Sequence, residues 1–170
     1  MVAQSLGVAV VLAVALALLP GTDGGGTPLT GGTAHASTPH ARFRAAMIAM
    51  LNRVRARHGI PAVRGDRRMA RAARAHSRTM AGAQALFHGA WSGRVARAAR
   101  ARWIGEVLAC IGPSRPRREA RTAVRAWLRS PGHRAVLLNP AFRRVGVGRA
   151  VGRMGAGRCA LYTVDWASRR

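Results

Sequence analysis

AWLRSPGHRAVLLNPAFRRVGVG, residues 126–148, changes its period part-way along. On its N-terminal side Val124, Trp127 and Leu128 recur at helical spacing, so the residues before Ser130 form one face of a helix. Ser130-Pro131 stops that helix, because the residue before a proline is steered away from helical backbone. The same pair starts another helix: Ser130 suits the N-cap, and Pro131 suits the first turn, where its missing N–H would have had no partner. His133 then falls in the first turn, on the face carried on by Val136 and Leu137. Past Pro140 the pattern becomes two-residue, with Val145 and Val147 alternating with Gly146 and Gly148, which is a strand. Helices first and sheet afterwards read as α+β, not as a doubly wound fold.

Toward the C-terminus, CALYTVDW (residues 159–166) alternates Ala160, Tyr162, Val164 and Trp166 with the other residues, giving a second strand. GRMGAG, residues 152–157, joins the two as an antiparallel hairpin. Toward the N-terminus, Phe43, Met47, Met50, Leu51 and Val54 mark a helix from Ala41 to Arg57, stopped by Gly59 and Pro61. Asp66 caps a further helix whose stripe is Met69, Ala73, His76 and Met80. His76, with no ligand-type neighbour, reads as a partly buried histidine with an ordinary hydrogen bond. The period lapses over QALFHGAWSG, residues 84–93, leaving His88 in a loop before a short helix at 94–102. WIGEVLACIGP, residues 103–113, carries Glu106 among apolar neighbours, a position that demands either a partner or a raised pKa. The last long helix spans Arg117 to Arg129.

Residues 6–19, LGVAVVLAVALALL, are apolar but shorter than the roughly 20 residues that cross a bilayer as a helix. Ala34 and Ala36 supply a small-x-small cleavage pattern, so residues 1–36 are expected to be a signal peptide and 37–170 one domain. The alternative is an uncleaved anchor holding the domain at the outer face of a membrane. The sequence has 29 basic residues, all arginine, against five acidic ones, a net charge of +24. Such a chain attracts polyanions in a salt-sensitive way without naming one. Few aromatics are present to stack bases, so a specific nucleic-acid partner is not expected. Cys110 and Cys159 are the two cysteines; an even count in an exported chain favours one disulfide, the other reading being two buried thiols.

His88, Glu106 and His133 each lie beside a glycine, at a break or beginning of an element, where sites are commonly built. The positive end of a helix disfavours imidazolium, so His133 is expected neutral, as a metal ligand must be. The spacing alone favours the other reading, a histidine at the edge of the core bonded to a backbone carbonyl.

LNRVRARHGIPAV, RMARAARAHSRTM, FHGA, GEVLA, the quoted run and ALYTVDW follow one another in an order that resembles the bacterial secreted branch of the CAP superfamily, the SCP-like domains. The resemblance covers Ala41 to Trp166. It implies a three-layer α-β-α sandwich around a small antiparallel sheet, and a cleft where two histidines and a glutamate converge. Carried over by position, these are His88, His133 and Glu106, the histidine pair able to hold zinc or another divalent cation. The family's GEN is Gly105-Glu106-Val107 here, and Ser130 stands where the eukaryotic pattern has a second glutamate after Trp127. The resemblance further implies an exported, monomeric binding module for a lipid, peptide or cell-envelope ligand. A second reading is a metal-dependent hydrolase with Glu106 as general base on a metal-bound water. A third is non-specific polyanion binding through the arginines. No Ser-His-Asp pattern or cysteine nucleophile supports other chemistry.

Overall fold

The computed structural model describes residues 38–169; the expected signal peptide lies outside the described residues. The elements follow in the order α1 (Pro39–Arg57), β1 (Arg64–Gly65), α2 (Arg67–Ala83), α3 (Trp91–Ala99), β2 (Ile104–Ile111), α4 (Pro116–Arg129), α5 (Pro131–Leu137), β3 (Arg144–Met154) and β4 (Gly157–Ala167). The strands form one sheet in the order β1-β3-β4-β2. Among the described residues no helix is long and apolar enough to cross a membrane.

Helices cover both faces of the sheet. On one, Met47 and Leu51 of α1, Val124 and Trp127 of α4 and Leu137 of α5 pack on Val107, Val147, Tyr162, Val164 and Trp166. On the other, Met69 and Met80 of α2 and Val95 of α3 lie over Ile104, Leu108, Leu161 and Ala167. The alternation expected along β4 is therefore real, but both of its faces are buried, since β4 runs between β3 and β2 under two helical layers. Adding a Cβ at Gly148 would place it 2.2 Å from the Ala73 carbonyl carbon, and at Gly146 2.4 Å from Met69 Cβ. Those two glycines let α2 lie directly on β3.

The Asp66 cap forms as expected, its Oδ1 accepting from Arg68 N–H at 2.9 Å and Met69 N–H at 3.1 Å. Two expectations need correction, and one strand was not foreseen. The sheet is not wholly antiparallel: β3, β4 and β2 are, but β1 adds two residues parallel to β3. WIGEVLACI contains a full strand, which alternation did not reveal because nearly every residue of β2 is buried. The short helix expected at 94–102 starts earlier, at Trp91, and ends where Arg100 turns left-handed at φ 50°.

Candidate functional site

The site is built where the loop before α3 meets the edge strand β2. Gly89, at φ +56°, turns the chain between His88 and α3 in a conformation most residues avoid. His88 then reaches Glu106, and its Nδ1–H donates to Oε1 at 2.7 Å. Glu106 is fully buried, and its other oxygen, Oε2, accepts from Arg94 of α3. The strand register places Asp165 of β4 directly opposite Glu106, and Arg94 Nη1 also donates to Asp165 Oδ2 at 2.8 Å. One guanidinium thus joins two buried carboxylates. Burial pushes the Asp165 carboxyl up; Arg94 pulls the other way, and the neighbouring Glu106 adds to the rise. Two adjacent buried carboxylates sharing one cation disfavour a second negative charge, and the rise at Asp165 is the result.

The demand that sequence placed on Glu106 is met by partners. Because a carboxylate only accepts, the ring nitrogen facing Glu106, His88 Nδ1, carries a proton. Trp91 flanks the imidazole with ring centroids 6.5 Å apart.

His133 occupies a different setting. It is buried in the first turn of α5, and its Nδ1 lies 2.9 Å from Ser130 Oγ. Ser130, expected to cap the helix, makes no side-chain cap bond and meets this imidazole instead. The Ser130 hydroxyl is thus one partner of the ring. With Leu108, Ala109, Cys110, Ile111, Ala126 and Trp127, His133 lines a cavity of about 20 Å³, room for about one water. Trp127 Nε1–H donates to Leu108 carbonyl oxygen at 2.7 Å and fixes α4 against β2 at this point.

The structure therefore joins His88 to Glu106 and places His133 behind the same strand, against Leu108 to Ile111. Among the described residues no group of three or more His, Cys, Asp or Glu side chains is arranged to hold a metal ion. The donor chemistry still suits a two-imidazole site, since each ring has its Nδ1 beside an oxygen, the arrangement that directs Nε2 to a metal. His76 behaves as expected, donating from Nε2 to the Phe87 carbonyl at 2.9 Å. Burial first, then Arg94, lower its pKa. Cys110 and Cys159 form a disulfide.

Arg94 and Asp165 were not singled out by sequence reasoning. The available signal was scarcity: with so few carboxylates, each buried one recruits an arginine, but only the fold says which. The other buried carboxylate, Glu119, receives the Tyr162 hydroxyl at 2.6 Å and two bonds from Arg149 at 2.8 Å.

Residues 48–164 match the family described as the cysteine-rich secretory protein family, CAP. Comparison with curated proteins finds no match. Among solved structures, the chain is similar to an extracellular protein containing an SCP domain from Bacillus anthracis, at 26% identity and TM-score 0.60, over 85% of this chain and 45% of that one. It is also similar in fold to an outer surface protein from Borrelia burgdorferi, at 16% identity and TM-score 0.60, over 75% of this chain and 93% of that one. A cysteine-rich secretory protein from Staphylococcus aureus aligns at 16% identity and TM-score 0.60, over 78% of this chain and 40% of that one. The chain thus spans less than half the length of the Bacillus and Staphylococcus proteins. With the family matched across most of its length and the α-β-α layers in place, the chain belongs to the CAP, or cysteine-rich secretory protein, family.

Proposed function

We propose that this protein is an exported CAP-domain binding module, in which His88 and His133 hold a divalent ion such as zinc beside a site for a lipid, peptide or cell-envelope ligand. The observation that carries this reading is the bond from His88 Nδ1–H to the buried Glu106 carboxylate, itself held by Arg94. A carboxylate behind an imidazole fixes its tautomer and raises its basicity, which is the supporting role found behind metal-bound histidines. A bound ion would supply Lewis acidity toward a ligand oxygen. Glu106 acts here as a positioning residue. Both its oxygens are engaged, by His88 and Arg94, which favours binding over hydrolysis, where the same carboxylate would have to take a proton from water. Export is supported by the apolar N-terminal run, by the disulfide, which persists in oxidising compartments, and by relatives that are extracellular or surface proteins.

Zinc titration of the full chain tests the reading, with metal content measured alongside for His88→Ala/His133→Ala. Saturable binding that the double variant loses is expected. Equal zinc in both proteins overturns the metal site. Turnover of an ester or peptide that Glu106→Gln abolishes, with zinc retained, would instead establish the hydrolase.

A further inference from the structure

The mature domain has four described carboxylates, and all of them are committed to arginines: Asp66 to Arg144, Glu106 and Asp165 to Arg94, and Glu119 to Arg149. Among the described residues the other arginines form no ion pair with an acidic side chain; Arg55 is buried against backbone carbonyls, and in one place nearer the surface several arginines converge on a cavity. His40 of α1, Arg74, Arg78 and Ala81 of α2, and Arg149, Ala150 and Val151 of β3 line a hollow of about 380 Å³. That size falls within the roughly 300–1,000 Å³ typical of small-molecule pockets. No carboxylate lines it.

Arg74 and Arg78 are one helical turn apart, a like-charge pair that weakens the helix unless an anion lies between them. Among the described residues neither forms an ion pair with an acidic side chain. Arg149 is pre-positioned. Its Nε and Nη2 donate to Glu119 at 2.8 Å, and its guanidinium lies 3.7 Å from the centroid of the Phe43 ring. Nη1 takes no part in those bonds and remains a donor. Burial of His40, then Arg74, Arg44, Arg78 and Arg149 around it, lower the imidazole pKa, so the hollow carries a positive field from α1, α2 and β3 together.

We propose that the hollow lined by His40, Arg74, Arg78 and Arg149 binds a phosphate group, presented by a small polar molecule or by a lipid headgroup. Two unpaired guanidiniums on one helix, a third held rigidly opposite and an imidazole that gains a proton as an anion approaches make a donor set for a tetrahedral dianion. The hollow exceeds a lone phosphate, leaving room for the group that carries it. This site is separate from the His88–Glu106 pair and does not depend on metal binding there.

The test is titration of the full chain with glycerol 3-phosphate, followed by calorimetry and by the NMR signal of His40. Arg74→Gln/Arg78→Gln is compared with Arg42→Gln/Arg117→Gln, which removes equal charge from arginines lining a different groove between α1 and α4. Affinity is expected to fall about tenfold or more in the first variant and to stay within about twofold in the second. The His40 pKa in the unsubstituted protein is expected to rise on binding, a readout that needs no variant. Equal losses in the two variants, or an unmoved His40 signal, overturn the site and leave only general charge attraction. Vesicles of phosphatidylcholine with and without phosphatidic acid separate the sources. Binding to acid-containing vesicles that glycerol 3-phosphate displaces assigns a headgroup, and binding to glycerol 3-phosphate alone assigns a soluble phosphate.

Discussion

Glu106 and Asp165 stand directly opposite each other on β2 and β4, both buried, and Arg94 bonds to both. Burial first, then the nearby Glu106 against the pull of Arg94, raises the Asp165 pKa. An acid whose native pKa exceeds its unfolded value stabilises the fold most below the unfolded pKa, about 3.9, and loses that contribution as pH rises toward the native pKa. Asp165→Asn, a neutral near-isostere, should therefore melt at the same or a higher temperature than the wild type at pH 7, with the difference closing near pH 4. Thermal melts across that range check this; a large loss at pH 7 would contradict it. Glu106→Gln is expected to do the opposite, costing about 3 kcal/mol, because the amide carries no charge and keeps only one acceptor oxygen for the two donors, Arg94 and His88.

Gly148 tolerates no side chain, since a Cβ would sit 2.3 Å from the Ala73 carbonyl oxygen. Gly148→Ala should push α2 off the sheet and cost about 3 kcal/mol or more, the upper end for overpacking. Gly112→Ala, where nothing lies within 4 Å of the new Cβ, should change stability little. Urea denaturation of the two variants makes the comparison, and equal midpoints would refute the close-packing account.

Arg55 is buried with no carboxylate beside it. It donates instead to the carbonyls of Pro61, Leu137, Asn139 and Phe142, at 2.7 to 3.1 Å, and lies over Trp166. It ties the end of α1 to the end of α5 and the LNPAF turn. Arg55→Met keeps much of the volume but leaves those carbonyls without that donor, and is expected to destabilise by about 3 kcal/mol. Arg55→Lys should recover only part, because an ammonium lacks the planar fork that spans them. A denaturant series with both variants reads the order.

The Cys110–Cys159 bridge closes a separation of 49 residues. Removing it as Cys110→Ser/Cys159→Ser is expected to cost roughly 4 kcal/mol on the chain-entropy account. Thiol labelling of the native, non-reduced protein should find no free thiol; full labelling would place both cysteines in the reduced state.

What could be read along the chain was whatever neighbouring residues settle between themselves. The stripe Met69, Ala73, His76, Met80, the Asp66 cap and the Ser130-Pro131 break came through because helix period, capping and proline sterics act within a few residues. The alternation of Ala160, Tyr162, Val164 and Trp166 came through because a strand's period is local as well. The strand at Ile104–Ile111 did not, since burial on both sides erases alternation, and nothing local distinguishes that run from a buried helix.

The sequence alone thus determined that helices precede a hairpin, and that Glu106, isolated among apolar residues, needs a partner. Only the tertiary structure decided that the partners are His88 and Arg94, that Asp165 shares the arginine, and that Arg149 rather than any other arginine serves Glu119. The physical reason is that a charge selects its counter-ion by distance in space. In a chain with so many arginines every candidate is chemically equal until the sheet register and the two helical layers place one of them within reach.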